Sequence, residues 1–193
     1  MARIFDNVHA IVSCAWHIAV TLLCVTFLFQ PAAWGGAVTG TEYNVKAGFI
    51  YNFANFVTWP PNSFADSPGE LILCLVSDDP DSDVLFNLDG KTVKGRKIKV
   101  MAYQESCLDK SHILYFATQD RATIRKILDR AKLHSILTIG EVDGFTRMGG
   151  VINFFNENNR LRFKVNVDAA KRQGLKLSSQ ILLSAQIVHG EDE

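Results

Sequence analysis

The sequence predicts a single α/β domain: a mainly parallel sheet with an antiparallel edge hairpin, flanked by helices. Three observations predict it. Leu71–Ser77, His112–Ala117 and Ser135–Gly140 are short, nearly continuous apolar runs with the length and composition of buried strands. They alternate with helical patterns, most clearly Arg121–Leu133, and such alternation belongs to parallel sheets. Near the end, Val151–Phe155 and Leu161–Val167 flank Asn156–Arg160, which reads as a hairpin with a five-residue loop.

The chain has 193 residues, 48% of them hydrophobic, enough for one well-buried domain and too few for two comfortable ones. Lys plus Arg and Asp plus Glu both number 20, so there is no basic field for nucleic acid. Residues 1–37 read as a signal peptide, with residues 38–193 as the folded domain. Arg3 supplies the positive start, Ile18–Phe29 the apolar core, and Gly35-x-Ala37 a cleavage site after the breaker Pro31. The alternative is a retained anchor, because Ala10–Phe29 is long enough to span a bilayer. Cleavage removes Cys14 and Cys24. Cys74 and Cys107 then remain, an even pair in an oxidising compartment, for which a disulfide is the default and two buried thiols the alternative.

Tyr43–Pro60 (YNVKAGFIYNFANFVTWP) is the helix around which the rest is organised. Its apolar residues cover about two-thirds of the wheel, well beyond the stripe of an ordinary surface helix. Lys46 falls within that arc, in the first turn, where its stem is expected to carry the ammonium out to water. Pro60 stops the helix. So apolar a helix is either central to its own domain or shared with another chain, and Phe49, Phe53, Phe56 and Trp59 are its candidate dimer or partner contacts.

Further along, Asp79 is expected to cap a short helix that starts at Pro80 and runs to Leu88, ended by Gly90. Lys91–Tyr103 alternates around Gly95 and reads as one half-exposed strand. Asp168–Gln173 reads as a short helix stopped by Gly174, and Ser178 or Ser179 as the cap of a last helix, Gln180–Val188. No catalytic constellation emerges. Asp78-Asp79 could hold a magnesium ion but reads better as a cap, and His112, His134 and His189 lack metal-ligand spacing. The glycines match neither a phosphate loop nor a dinucleotide fingerprint, so neither a cofactor nor a reaction is indicated. A small-molecule site at the strand ends, near Ser77, Asp78, Thr118 and Glu141, is the alternative to a regulatory role.

Seven blocks carry a resemblance. They are VKAGFIYNFANFVTWP (45–60), LCLVSDDP (73–80), KGRKIKV (94–100), HILYFA (112–117), ILTIGEVDGF (136–145), GGVINF (149–154) and RFKVNVDAAKRQGLKLSSQILLSA (162–185). In order and spacing the chain resembles the YfiR family of small periplasmic proteins. The resemblance implies an exported, dimerising regulator with no enzymatic activity and no cofactor. Such a protein binds the periplasmic region of an inner-membrane diguanylate cyclase, or by analogy a sensor kinase, and holds it inactive. An OmpA-like outer-membrane lipoprotein relieves the inhibition, and the readout is cyclic-di-GMP and biofilm. The chain departs from the family at Ser111, where members carry a cysteine, and it lacks a second cysteine pair near Met148–Phe154.

Overall fold

A computed structural model describes residues 39–190, so the signal-peptide reading, with Cys14 and Cys24, lies outside the described residues. Helix α1 (Thr39–Phe56) ends four residues before Pro60, and Val57–Thr58 already forms a short strand, β1. The central strand β2 (Glu70–Ser77) is buried from Leu71 to Val76. Asp79 then caps a 3-10 helix, Pro80–Leu88, accepting the amide of Asp81 at 2.9 Å. This matches the expected cap and start, with the tighter helix in place of an α-helix.

Lys91–Tyr103 is a hairpin rather than one strand. Strands β3 (Thr92–Val93) and β4 (Arg96–Ala102) pair antiparallel around Lys94-Gly95, both at positive φ (49° and 78°). Two consecutive left-handed residues make the turn whose twist suits a tight hairpin. After the short helix α2 (Cys107–Lys110) come β5 (Ile113–Ala117), α3 (Arg121–Ala131), β6 (Leu137–Gly140), β7 (Ile152–Glu157) and β8 (Arg160–Asn166). The β7–β8 hairpin also turns on two positive-φ residues, Asn158 (51°) and Asn159 (59°), so its loop is shorter than the five residues expected.

Helix α4 (Val167–Arg172) is capped by Asn166, strand β9 (Lys176–Leu177) pairs with β1, and α5 (Ser179–Ser184) follows. The expected last helix stops at Ser184. Its remainder is strand β10 (Gln186–Val188), parallel to β8. Asn166 explains the change. Its side chain, wholly buried, donates to the carbonyls of Thr146 and Gly190 and accepts from the amide of Ala169, drawing the tail against the sheet edge.

The eight-stranded sheet runs β10-β8-β7-β6-β5-β2-β4-β3. From β4 to β7 every pairing is parallel, and the β7–β8 hairpin supplies the antiparallel turn toward the edge. One face is covered by α1 and the Pro80–Leu88 helix, the other by α2, α3 and the connector after β6. Phe145, fully buried in that connector, lies between Gly140 and Gly150; a Cβ on either glycine would drive into its ring.

His112, just before β5, is 1% exposed and ties three segments together. Its Nδ1 accepts the Ile72 amide at 3.0 Å, its Nε2 faces the Ser63 carbonyl at 2.9 Å, and its ring stacks on Phe64 at 4.2 Å. A neutral ring with the proton on Nε2 satisfies both bonds. Burial pushes its pKa down to about 4. The unfolded imidazole titrates near ~6.5, so between about pH 6.5 and 4 the unfolded chain takes up a proton that the native chain refuses. Native stability should therefore fall as pH drops through that window, by roughly 3 kcal/mol, and level off below it. Urea midpoints measured across this range should slope less in His112→Asn than in the wild type; equal slopes would place the buried proton elsewhere.

Candidate functional site: helix α1 and the polar cluster beneath it

Helix α1 buries Tyr43, Lys46, Ala47, Ile50, Phe53 and Ala54, and the stripe continues into Val57. That is the i, i+3, i+4, i+7 spacing of a single packed face, and Lys46 occupies one of its inward positions. The expectation that its ammonium reaches water is overturned: Lys46 is 3% exposed. The face buries an ammonium because carboxylates meet it. Lys46 Nζ lies 2.8 Å from Glu42 and 2.6 Å from Glu141, and 4.4 Å from the centre of the Tyr43 ring.

Glu141 directly follows β6 and also accepts the hydroxyl of Tyr115 from β5. Tyr43 donates to Asp79, the cap of the 3-10 helix, at 2.7 Å. Burial, reinforced by these carboxylates, raises both phenols above their ordinary range, so they stay protonated and act as donors. The first turns of α1 are thus tied to the carboxyl ends of β2 and β6, and through Glu141 to Tyr115 of β5. Its other end is tied down by Trp59, whose indole donates to the His112 carbonyl at 3.1 Å, at the start of β5. α1 therefore runs antiparallel to these strands.

The four aromatic candidates divide. Phe53 (2% exposed) and Trp59 (7%) fill this chain's own core, with Phe53 packed edge-on to Phe163 at 5.0 Å. Phe49 is partly buried against Phe154 and Phe163, and Phe56 stands 36% exposed beside an outer side carrying Val45 and Asn52.

Cys74 and Cys107 are bonded, joining β2 to α2 on the face opposite α1, with Cα atoms 6.3 Å apart. Both are buried. Ser111 is buried too, and its hydroxyl has no hydrogen-bond partner among the described residues.

The first strand of the parallel set, β2, lies between its second, β4, and its third, β5, so the crevice that open α/β sheets use for ligands falls at the ends of β2 and β5. Here its own side chains bridge it, while a groove of about 380 Å³ lined by Ser77, Asp78 and Ala102 lies open beside it. Thr118 donates to Asp78 at 2.8 Å, and Ser77 to the Ala117 carbonyl at 3.3 Å. Glu141 is occupied by Lys46 and Tyr115. Among the described residues no His, Cys, Asp and Glu side chains group as metal ligands, and no helix is long and apolar enough to cross a membrane. Sequence reasoning missed Lys46, Tyr115 and Glu141 as a unit. The available signal was a lysine on an apolar helical face, which calls for a buried carboxylate partner.

A family model described as YfiR/HmsC-like matches residues 43–186, from Tyr43 in α1 into β10. The chain belongs to the YfiR/HmsC-like family. A solved structure, a conserved domain protein from Vibrio cholerae O1 biovar El Tor, is similar in fold. Identity is 11% and the TM-score 0.50, over 75% of this chain and 59% of that one. This YfiR/HmsC-like chain thus spans little more than half the length of the protein it matches.

Two outcomes test the site. Lys46→Met strands Glu141 beneath α1 and should cost ~3 kcal/mol or more in urea unfolding, and Lys46→Met with Glu141→Leu should recover most of it. Additive losses would show that the two side chains do not share an interaction. With the cysteines 33 positions apart in sequence, losing the disulfide through Cys74→Ala and Cys107→Ala should cost ~3.7 kcal/mol by loop-closure entropy, read in the same assay.

Proposed function

We propose that this protein binds the periplasmic part of an inner-membrane diguanylate cyclase and holds it inactive, lowering cyclic-di-GMP and biofilm formation. The family match over residues 43–186 carries the reading. Residues 1–37 act as its signal peptide, delivering it to the periplasm, where it works as a homodimer. An OmpA-like outer-membrane lipoprotein withdraws it from the cyclase.

In this reading α1 presents its open side to the dimer or cyclase partner. Phe56 and Phe49 supply the contact, and Phe53 and Trp59 back it from within the core. Inhibition is then a binding equilibrium: the regulator prefers one of two cyclase states and shifts the population by that preference. Burying an exposed phenylalanine at such a contact contributes ~1.5–3 kcal/mol, enough to change affinity more than tenfold.

Deleting the protein should raise cyclic-di-GMP, and the exported protein should co-purify with the cyclase. Phe56→Asp should weaken capture and raise cyclic-di-GMP toward the deletion level while leaving the thermal midpoint nearly unchanged. Unaltered cyclic-di-GMP on deletion overturns the proposal.

A further inference from the structure

The chain is neutral in sum but not in arrangement. Pro61–Gly90 holds seven acidic residues and no Lys or Arg, and its 3-10 helix packs on the α1 face of the sheet. The opposite face carries α3, which buries Ile124, Ile127, Leu128 and Ala131 and turns its cations outward. Arg121, Arg125, Lys126, Arg130 and Lys132 are all exposed. Arg130 pairs with Glu105 and Lys132 with Asp129, while Arg121 gives one bond to the Asp143 carbonyl. Arg125 and Lys126 have no partner among the described residues. Two grooves border the helix, of about 440 and 380 Å³, sharing Asp129 and Met148; Arg125 and Arg147 line the first, Lys132 and Arg172 the second.

One further side chain belongs to this face. Leu133 is 81% exposed, in the turn that directly follows the last residues of α3. Long, unpaired cations beside an outward leucine have a specific physical complement: phosphates at the level of the ammonium and guanidinium groups, and an apolar layer just beneath them. We propose that the outer face of α3 docks on an anionic phospholipid surface, with Arg121, Arg125 and Lys126 on headgroup phosphates and Leu133 reaching the acyl boundary. Because the apolar face of α3 is spent in the protein core, the helix lies on the surface and does not insert. Attraction is electrostatic, and it is screened by salt within about a Debye length. The acidic Pro61–Gly90 side points away from the lipid, which orients the neutral molecule instead of repelling it. The inference does not depend on the identity of any protein partner.

The test mixes the protein isolated from the cell envelope with vesicles of pure phosphatidylglycerol and of pure phosphatidylcholine, and follows co-sedimentation at low and high salt. Binding in excess on phosphatidylglycerol, lost at high salt, is the expected result. Each cation removed should cost roughly fivefold in partitioning, so Arg125→Gln with Lys126→Gln should lose roughly twenty-five-fold, and Leu133→Asn should weaken binding further. These side chains are exposed, so an unchanged thermal midpoint accompanies the loss. Equal binding to both vesicles, or phosphatidylglycerol binding untouched by the variants, overturns the proposal. Full competition by free glycerol phosphate would assign the face to a small anion and overturn it. So would tighter capture by polyglutamate than by phosphatidylglycerol, which would assign the face to an acidic polypeptide.

Discussion

The fold rests on the neutralisation of one ammonium. Lys46 sits where an inward-facing helix wants an apolar side chain, and α1 can lie flat on the sheet only because Glu42 and Glu141 meet it there. An uncompensated charge at that depth would cost several kcal/mol. The geometry that avoids this cost also sets the helix in register. Glu141 is fixed by the end of β6 and held there by Tyr115 of β5, and Asp79 by the cap after β2, so sliding α1 by a turn would break its bonds to two strand ends at once. At the other end Trp59 and His112 do the same with backbone and ring. Apolar contacts between these two anchors, Phe53 on Phe154 and Phe163 above all, supply area but little register of their own.

The arrangement separates two kinds of surface. The disulfide and α3 lie on one side of the sheet, and α1 with its open Phe56 on the other. The Cys74–Cys107 bond joins β2 to α2 beneath the basic face, so it stiffens the support of that face without touching α1. A contact made through α1 and one made through α3 can therefore be occupied together. The crevice between β2 and β5, where many α/β proteins hold ligands, is bridged by hydrogen bonds from Thr118 and Ser77, and a groove of about 380 Å³ stays open beside it at the ends of β2 and β4.

Much of this was legible in the sequence where a residue's role is local. Continuous apolar runs gave the buried strands, because strands covered on both faces need no alternation. Asp79-Pro80 announced a cap and a helix start, as the structure has it. What was not legible depended on partners distant in sequence. Lys46 reads as a residue bound for water until Glu141, 95 positions later, is placed beneath it. Asn166 looks like an ordinary strand end, and only the return of the chain to Gly190 makes it the post that holds β10. Both hairpin turns were misjudged for a smaller reason. Lys94, Asn158 and Asn159 adopt left-handed conformations that asparagine tolerates and lysine rarely takes, and a pattern of hydrophobicity carries no record of φ.

Phe145 lies between Gly140 and Gly150 with its ring against both backbones. A side chain on either glycine needs a smaller ring, and a smaller ring leaves a void beneath α3 unless a glycine grows to fill it. The three positions can change only in concert, and single steps away from the present combination all lead downhill in stability. The connector from β6 to β7 is for that reason a locked unit in the chain's mutational landscape, and variation among such proteins has to be accommodated in the loops and faces around it.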